Sequence, residues 1–280
     1  MEFVEHADIK SGKGRVILLY GDTGNGKTVG AIGTTQTPTL VISGERRNFA
    51  LPLEFVMTSP EMKPRTRPDL VLRLAKPDAG IEDLIRFLCT PANFRAEPTE
   101  EAPNPPNFFK TVVLDGFSHF LGVTTMREVA DHSFSKLSKV EQLKNSLTAT
   151  AKLDWDGWAA VADQGLRVFD ALTVLSDRGH VVVVTCLGVD RPKYDRALAY
   201  GPLLPGKLLP QYVPGSCDVI GRVSARRTAA GALVWPPQVD MVSPENDFTA
   251  KMTGKIVGGP CQELNISKML GLEEGDSKNV

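Results

Sequence analysis

The chain has little from which to build a disulfide framework, a metal cluster or a membrane span. Its 280 residues include four cysteines, Cys89, Cys186, Cys217 and Cys261, and four histidines. The cysteines are widely scattered and form no CxxC pair or mixed His/Cys ligand spacing, which argues against structural zinc and against a disulfide-stapled secreted scaffold. They read as reduced thiols of a cytosolic protein, and Cys186, closing a run of valines, reads as core. No segment approaches the roughly 20 apolar residues a membrane span requires, and the opening MEFVEHADIKSGKGRV lacks a secretory apolar stretch. Neither sign of charge dominates either: 32 basic residues face 33 acidic ones, for a formal net charge of −1. Any binding to nucleic acid must therefore rely on local patches.

What the sequence does have is punctuation. Residues 16–20 read as a short buried strand, after which GDTGNGKT places three glycines in six positions before a helix begins. The P-loop pattern asks for Gly, four free positions, Gly-Lys and then Ser or Thr, between a strand and a helix. Gly21, Gly26, Lys27 and Thr28 supply it, with Asp22, Thr23, Gly24 and Asn25 as the free positions. Glycines let successive backbone N–H groups turn inward around an anion, and the positive end of the following helix adds to the field. Lys27 is then the contact to the β- and γ-phosphates, and the Thr28 hydroxyl a ligand of Mg²⁺.

Short apolar runs alternate with helix-like stretches along the rest of the chain, the pattern of an α/β sheet. TLVISGERR gives a strand over 40–43, with Glu45 just beyond its end. A carboxylate there can reach a water in line with a γ-phosphate; the alternative is a surface ion pair with Arg46 or Arg47. KTVVLDGFSHF gives a strand that ends in Asp115, the position for a second acidic group near Mg²⁺. Many strands end in Asp at a turn, so the pairing with a P-loop gives this one its meaning. His119 reads as structural. HVVVVTCLG is a buried strand ending at Thr185, the candidate sensor of the nucleotide.

GIEDLIRFLC is an amphipathic helix with Ile81, Leu84, Phe87 and Leu88 on one side, and 158–175 repeats apolar residues at helical spacing. Prolines and acids over 90–108 predict an exposed excursion without regular structure. A polar, lysine-bearing stretch lies within a helical insert over 120–156. Trp155 either stacks on a base or packs the start of the next helix. Beyond the Thr185 strand, Arg191, Lys193, Tyr194 and Arg196 interleave basic and aromatic groups among turn residues, a combination that suits single-stranded nucleic acid. GALVWPP reads as a strand and turn. Lys251 and Lys255 fall on a loop after it, and EEGDSKNV reads as a frayed tail.

In order along the chain, GDTGNGKT, LVISGE, VVLDG, VVVVT, GPLLPGKLLPQYVPGSCDVIGRV and TAKMTGK resemble the RecA/RadA-type ATPase core, over residues 13–271. More narrowly, LDWDGW and LLPGK are similar to the small phage-encoded RecA-like ATPases associated with single-strand annealing and recombination. The resemblance implies an α/β fold with a mainly parallel central sheet flanked by helices, one domain over 1–271 and a flexible tail over 272–280. It implies Mg²⁺-dependent ATP hydrolysis on single-stranded DNA by a ring or filament of identical subunits in the host cytoplasm, with a single-strand-binding protein as a further partner. Lys27, Thr28 and Asp115 match the family motifs, and Glu45 matches the glutamate that polarises the attacking water. Lys251, and after it Lys255, take the place of basic residues that reach a neighbour's γ-phosphate; the alternative is ordinary exposed lysines. Thr185-Cys186-Leu187 stands where the family commonly has Gln or His, which implies a weaker or differently wired coupling to the DNA loop. A small-molecule kinase with 127–155 as its lid, and a nucleotide-gated scaffold, are the other classes the motifs permit.

Overall fold

The computed structural model describes residues 14–43, 50–59, 72–75, 80–94, 109–125, 155–190, 200–231, 233–243, 247–253 and 256–272. Its centre is β1 (Arg15–Gly21), in which Val16 to Tyr20 are all essentially inaccessible to solvent. Alternate residues of a strand face opposite sides, so a strand apolar at every position must be covered on both. It is: Val16, Leu18 and Tyr20 enter one hydrophobic cluster and Ile17 and Leu19 another.

Around β1 the described strands form a ten-stranded sheet whose main path runs β10, β8, β7, β1, β5, β4, β2, β3. β2 (Thr39–Ser43), β3 (Leu72–Ala75), β4 (Thr111–Asp115), β5 (Val181–Asp190) and β7 (Val219–Arg227) join β1 in a parallel block. β8 (Leu233–Asp240) and β10 (Cys261–Glu263) extend it antiparallel beyond β7. The short strands β6 (Tyr200–Pro202) and β9 (Lys251–Met252) pair antiparallel with β5 and β7. β5 thus stands between β1 and β4 in the middle of the sheet rather than closing it, as its four consecutive buried valines require.

Parallel strands need crossovers, and these cover the two faces. On one lie α1 (Lys27–Gly33), α2 (Ala50–Thr58) and the final α7 (Ile266–Met269), through Ala31, Ile32, Val56, Ile266 and Met269. On the other lie α3 (Ile81–Cys89), α5 (Trp155–Asp177) and α6 (Leu209–Ser216). α3 buries Ile81, Leu84, Ile85 and Leu88 and leaves Phe87 at the rim. α5 buries Val161, Phe169, Leu172 and Leu175, but Trp158, at the start of the apolar series, is 37% exposed because it precedes the part of the helix that lies on the sheet. After β4 a single turn, α4 (Phe117–His119), widens into a π-helical turn over Phe120–Thr125. Among the described residues no helix is long and apolar enough to cross a membrane.

Three local expectations are corrected. The excursion expected from residue 90 starts as a packed turn: Pro91–Asn93 is 3-10 helical, and Phe94 is buried against Phe87, Phe109 and His180. An aromatic with partners on three elements outweighs the local proline signal; residues 95–108 lie outside the described set. WPP is not a turn but the middle of β8, where Trp235, Pro236 and Pro237 form a bulge opposite the single β7 residue Ala225, between the pairs Ser224–Gln238 and Arg226–Val234. Lys251 belongs to β9, with Ile220 of β7 as its pairing partner, rather than to a loop.

His180 closes the turn before β5, its Nδ1 2.6 Å from the Phe109 carbonyl oxygen. Burial holds its imidazole below the ordinary value near 6.5, opposed by the Phe109 carbonyl and aided by Arg178. The unfolded chain therefore takes up the proton first as pH falls through about 6.5, so this contribution to stability is complete above that value and is lost below it, toward the folded-state pKa. Urea midpoints measured between pH 7.5 and 5 should fall with pH, and His180→Asn, which keeps a donor for Phe109 but does not titrate, should flatten that fall.

Candidate functional site

β1 delivers the chain to the C-terminal edge of the sheet, where residues 22–26 turn back into α1. The turn depends on glycine at two places. Gly26 has φ 82°, a left-handed conformation, and an added Cβ would overlap the Trp235 indole. At Gly21 a Cβ would run into the Val223 backbone carbonyl of neighbouring β7. The side chains of the loop brace it: Asn25 Nδ2 donates to Val223 O at 3.1 Å, and Asp22 Oδ1 accepts from the Tyr200 hydroxyl at 2.6 Å. Burial, then the Asp22 carboxylate, push the Tyr200 phenol above its usual range, so it stays a donor.

Lys27 is largely buried under this loop, its Nζ donating to the Gly21 and Asp22 carbonyl oxygens at 2.8 Å each. Next to it, Thr28 Oγ1 donates to Asp115 Oδ1 at 2.8 Å. The same carboxylate oxygen accepts from Thr185 Oγ1 at 2.7 Å, and Thr185 Oγ1 accepts from Gly116 N at 2.8 Å. Register makes this possible: β4 and β5 pair with Leu114 beside Val184, which brings Asp115, the last residue of β4, level with Thr185; β5, expected to end there, continues to Asp190. Ser43, at the end of β2, pairs with Asp115 on the other side. Below them Ser118 ties α4 to the sheet, donating to Leu203 O and accepting from Leu187 N. Cys186 is buried, which pushes its thiol up to about 12 and leaves it an inert part of the core.

These groups border a cavity of about 270 Å³ lined by Thr23, Gly24, Gly26, Lys27, Thr28, Val29, Gly116, His119, Thr185, Cys186, Leu187 and Trp235. An ammonium, a hydroxyl and the glycine loop therefore meet at one hollow, with a buried carboxylate directly behind the hydroxyl. Such a set suits a polyanion with a hard cation: Thr28 and Asp115 offer only oxygen donors. Among the described residues no group of three or more His, Cys, Asp or Glu forms a cage on its own.

Of the residues singled out from sequence, Lys27, Thr28, Asp115 and Thr185 are brought together, with the loop residues around them. Lys251 is not at this cavity; its Nζ donates to Gly215 O at 2.8 Å, at the end of α6. Glu45, Arg191, Lys193, Tyr194, Arg196 and Lys255 lie outside the described residues. His119, read as structural, lines the hollow. Two residues at the loop received no role there from sequence: Tyr200 as the partner of Asp22, and Trp235. Both come from strands far along the chain, so no local spacing betrays them.

Scans against protein-family models and against curated proteins find no match to this chain. The functional reading therefore stands on the residues themselves.

Thr185 is the simplest probe of how β4 and β5 are held together here. Thr185→Val leaves the half-buried Gly116 N–H without this acceptor and removes one donor from the buried Asp115 carboxylate, and it should cost about 1–3 kcal/mol in urea unfolding. Thr185→Ser keeps the hydroxyl and should recover most of that loss.

Proposed function

We infer that the protein is a Mg²⁺-dependent ATPase of the RecA/RadA type that works on single-stranded DNA as an oligomer. The observation that carries the reading is the meeting of Lys27, Thr28 and Thr185 at one cavity walled by the glycine loop, with Asp115 hydrogen-bonded to both hydroxyls. These residues come from three strands that stand side by side, β1, β5 and β4, or from the loop and helix that follow them. The parallel order of those strands is what supports a RecA-like core.

In this reading Lys27 exchanges the Gly21 and Asp22 carbonyl oxygens for oxygens of the β- and γ-phosphates, and the backbone N–H groups of the loop surround the same anion. Thr28 would hold Mg²⁺ directly and Asp115 would hold it from behind, and the ion would neutralise charge on the phosphates. Asp115 is oriented by the two hydroxyls that donate to it. Thr185 connects the γ-phosphate end to Gly116 and the start of α4. Glu45, two residues past the end of β2, is assigned to orienting and deprotonating the attacking water. Lys251, outside this chain's own cavity, and Lys255 are assigned to the neighbouring subunit's phosphates.

Turnover measured with purified protein and Mg²⁺-ATP tests the catalytic part. Lys27→Ala should lower it by about a hundredfold or more. Asp115→Asn should do likewise and raise the Mg²⁺ requirement. Glu45→Gln should bind ATP normally yet turn over about a hundredfold more slowly or worse; full turnover in this variant would remove Glu45 from the mechanism.

The DNA part rests on the sequence between β5 and β6. Single-stranded DNA should stimulate ATP turnover, and alanine at Arg191, Lys193 and Arg196 together should weaken DNA binding and shallow its salt dependence without changing ATP affinity. Stimulation by a small phosphate acceptor instead, with transfer to it, would replace this reading with that of a kinase.

A further inference from the structure

At one end of the cavity stands a group for which phosphate has no use. The indole of Trp235, on β8, lines the hollow beside Thr23, Gly24, Gly26 and Val29. The ring is held in place: its edge rests on Gly26, where a Cβ would overlap it, and Phe55 of α2 packs against it with 5.0 Å between centroids and 44° between planes. It is partly buried and lines the cavity.

Its place in the sheet gives this end of the cavity a meaning. The strands run β8, β7, β1, β5, β4, so Trp235 lies to the β7 side of the glycine loop, while Gly116, His119 and Thr185 lie to the β5 and β4 side. The hydroxyl and carboxylate that suit a terminal phosphate and its cation, Thr28 and Asp115, belong with the second group. A triphosphate seated with its terminal phosphate there extends its other end toward β8, and with it the sugar and base.

Building on the reading of the site as a triphosphate site, we propose that Trp235 is the platform on which the nucleobase of the bound nucleotide stacks. A preset indole offers a large flat apolar face at small entropic cost, because its own rotamer is fixed by Gly26 and Phe55. Stacking recognises a ring and not its hydrogen-bonding edge. Trp235 accordingly makes the site select nucleotides over inorganic polyphosphates and leaves the choice among bases to other groups.

Titration calorimetry with two probes, ATP and inorganic tripolyphosphate, each with Mg²⁺, separates the base from the phosphates. The unchanged protein should bind ATP more tightly than tripolyphosphate. Trp235→Leu should lose about tenfold or more in ATP affinity, the scale of a lost aromatic stacking partner, with less than about a twofold change for tripolyphosphate. Trp235→Phe should restore most of the ATP affinity. Equal losses for both probes would mean that the indole only props Gly26, and no loss for either would put the base elsewhere; each result overturns the proposal. Tripolyphosphate binding as tight as ATP binding in the unchanged protein overturns it while leaving the phosphate site intact, whereas binding of neither probe removes the triphosphate reading and this proposal with it. Fluorescence gives a readout that does not need Trp235 replaced. With Trp155 and Trp158 changed to Phe, Trp235 is the last of the three tryptophans. ATP should quench its emission and tripolyphosphate should not; an emission indifferent to ATP would overturn the assignment.

Discussion

One carboxylate oxygen joins three parts of the chain. Asp115 Oδ1 accepts from Thr28 at the start of α1 and from Thr185 in the middle of β5. Asp115 is 3% exposed, and a buried carboxylate is tolerable only where donors replace the water it has lost. The arrangement therefore constrains its surroundings. β4 and β5 must be neighbours in a register that brings the end of β4 level with Thr185, and the loop after β1 must be short enough to place Thr28 within reach of Asp115. The valine run of β5 and the unbroken apolar run of β1 follow from the same demand, because strands at the centre of a sheet covered on both faces have no side for polar residues.

Lys27 obeys a related constraint with the opposite sign. Its ammonium is buried beside the carbonyls of Gly21 and Asp22, which curl around it. The loop is thus shaped around a cation by its carbonyls and has glycine where side chains would prevent the curl. An anion that draws Lys27 away from those carbonyls replaces one set of oxygens by another. The neighbouring hydroxyl, carboxylate and backbone stay where the sheet holds them, so little has to be rebuilt for binding.

The parts legible in the sequence were those in which one short segment carries its own constraint. GDTGNGKT announces strand, loop and helix through the spacing of its glycines. VVLD announces a buried strand ending in a carboxylate, and VVVVT a buried strand, although β5 runs on to Asp190 instead of ending at Thr185. The amphipathic period of α3 and α5 is likewise a local signal. What escaped was set by partners distant in sequence. Whether β5 lies at the centre or at an edge depends on which strands flank it. The prolines of β8 read as a turn because the pairing with β7 that holds them in a bulged strand is not written in their own segment. Phe94 sits in a proline-rich stretch, and only the positions of Phe87, Phe109 and His180 make it core. Trp235 reaches the glycine loop from more than 200 residues downstream, through a strand order that no periodicity encodes.

The same distinction bears on how the glycine loop is linked to the segment after β5. The family resemblance leads one to look for a Gln or His at the strand end, where Thr185, Cys186 and Leu187 stand instead. Cys186 points into the core and Thr185 is committed to Asp115 and Gly116. The hydrogen bond that reaches the loop comes from the far side of that segment, where Tyr200 opens β6 and donates to Asp22. Tyr200 is itself fixed from several directions: its ring lies against Tyr20 of β1, the Arg222 guanidinium of β7 stands 5.2 Å over it, and its backbone N–H donates to Asp247 O. Arg222 stands 5.0 Å over Phe248 as well, and Tyr20 donates to the Thr249 carbonyl oxygen. Asp22 is therefore bound to a rigid group rather than to a side chain free to follow it. A movement of the loop at Asp22 must either break this bond or be transmitted to β6, where the chain emerges from the segment that carries Arg191, Lys193 and Arg196.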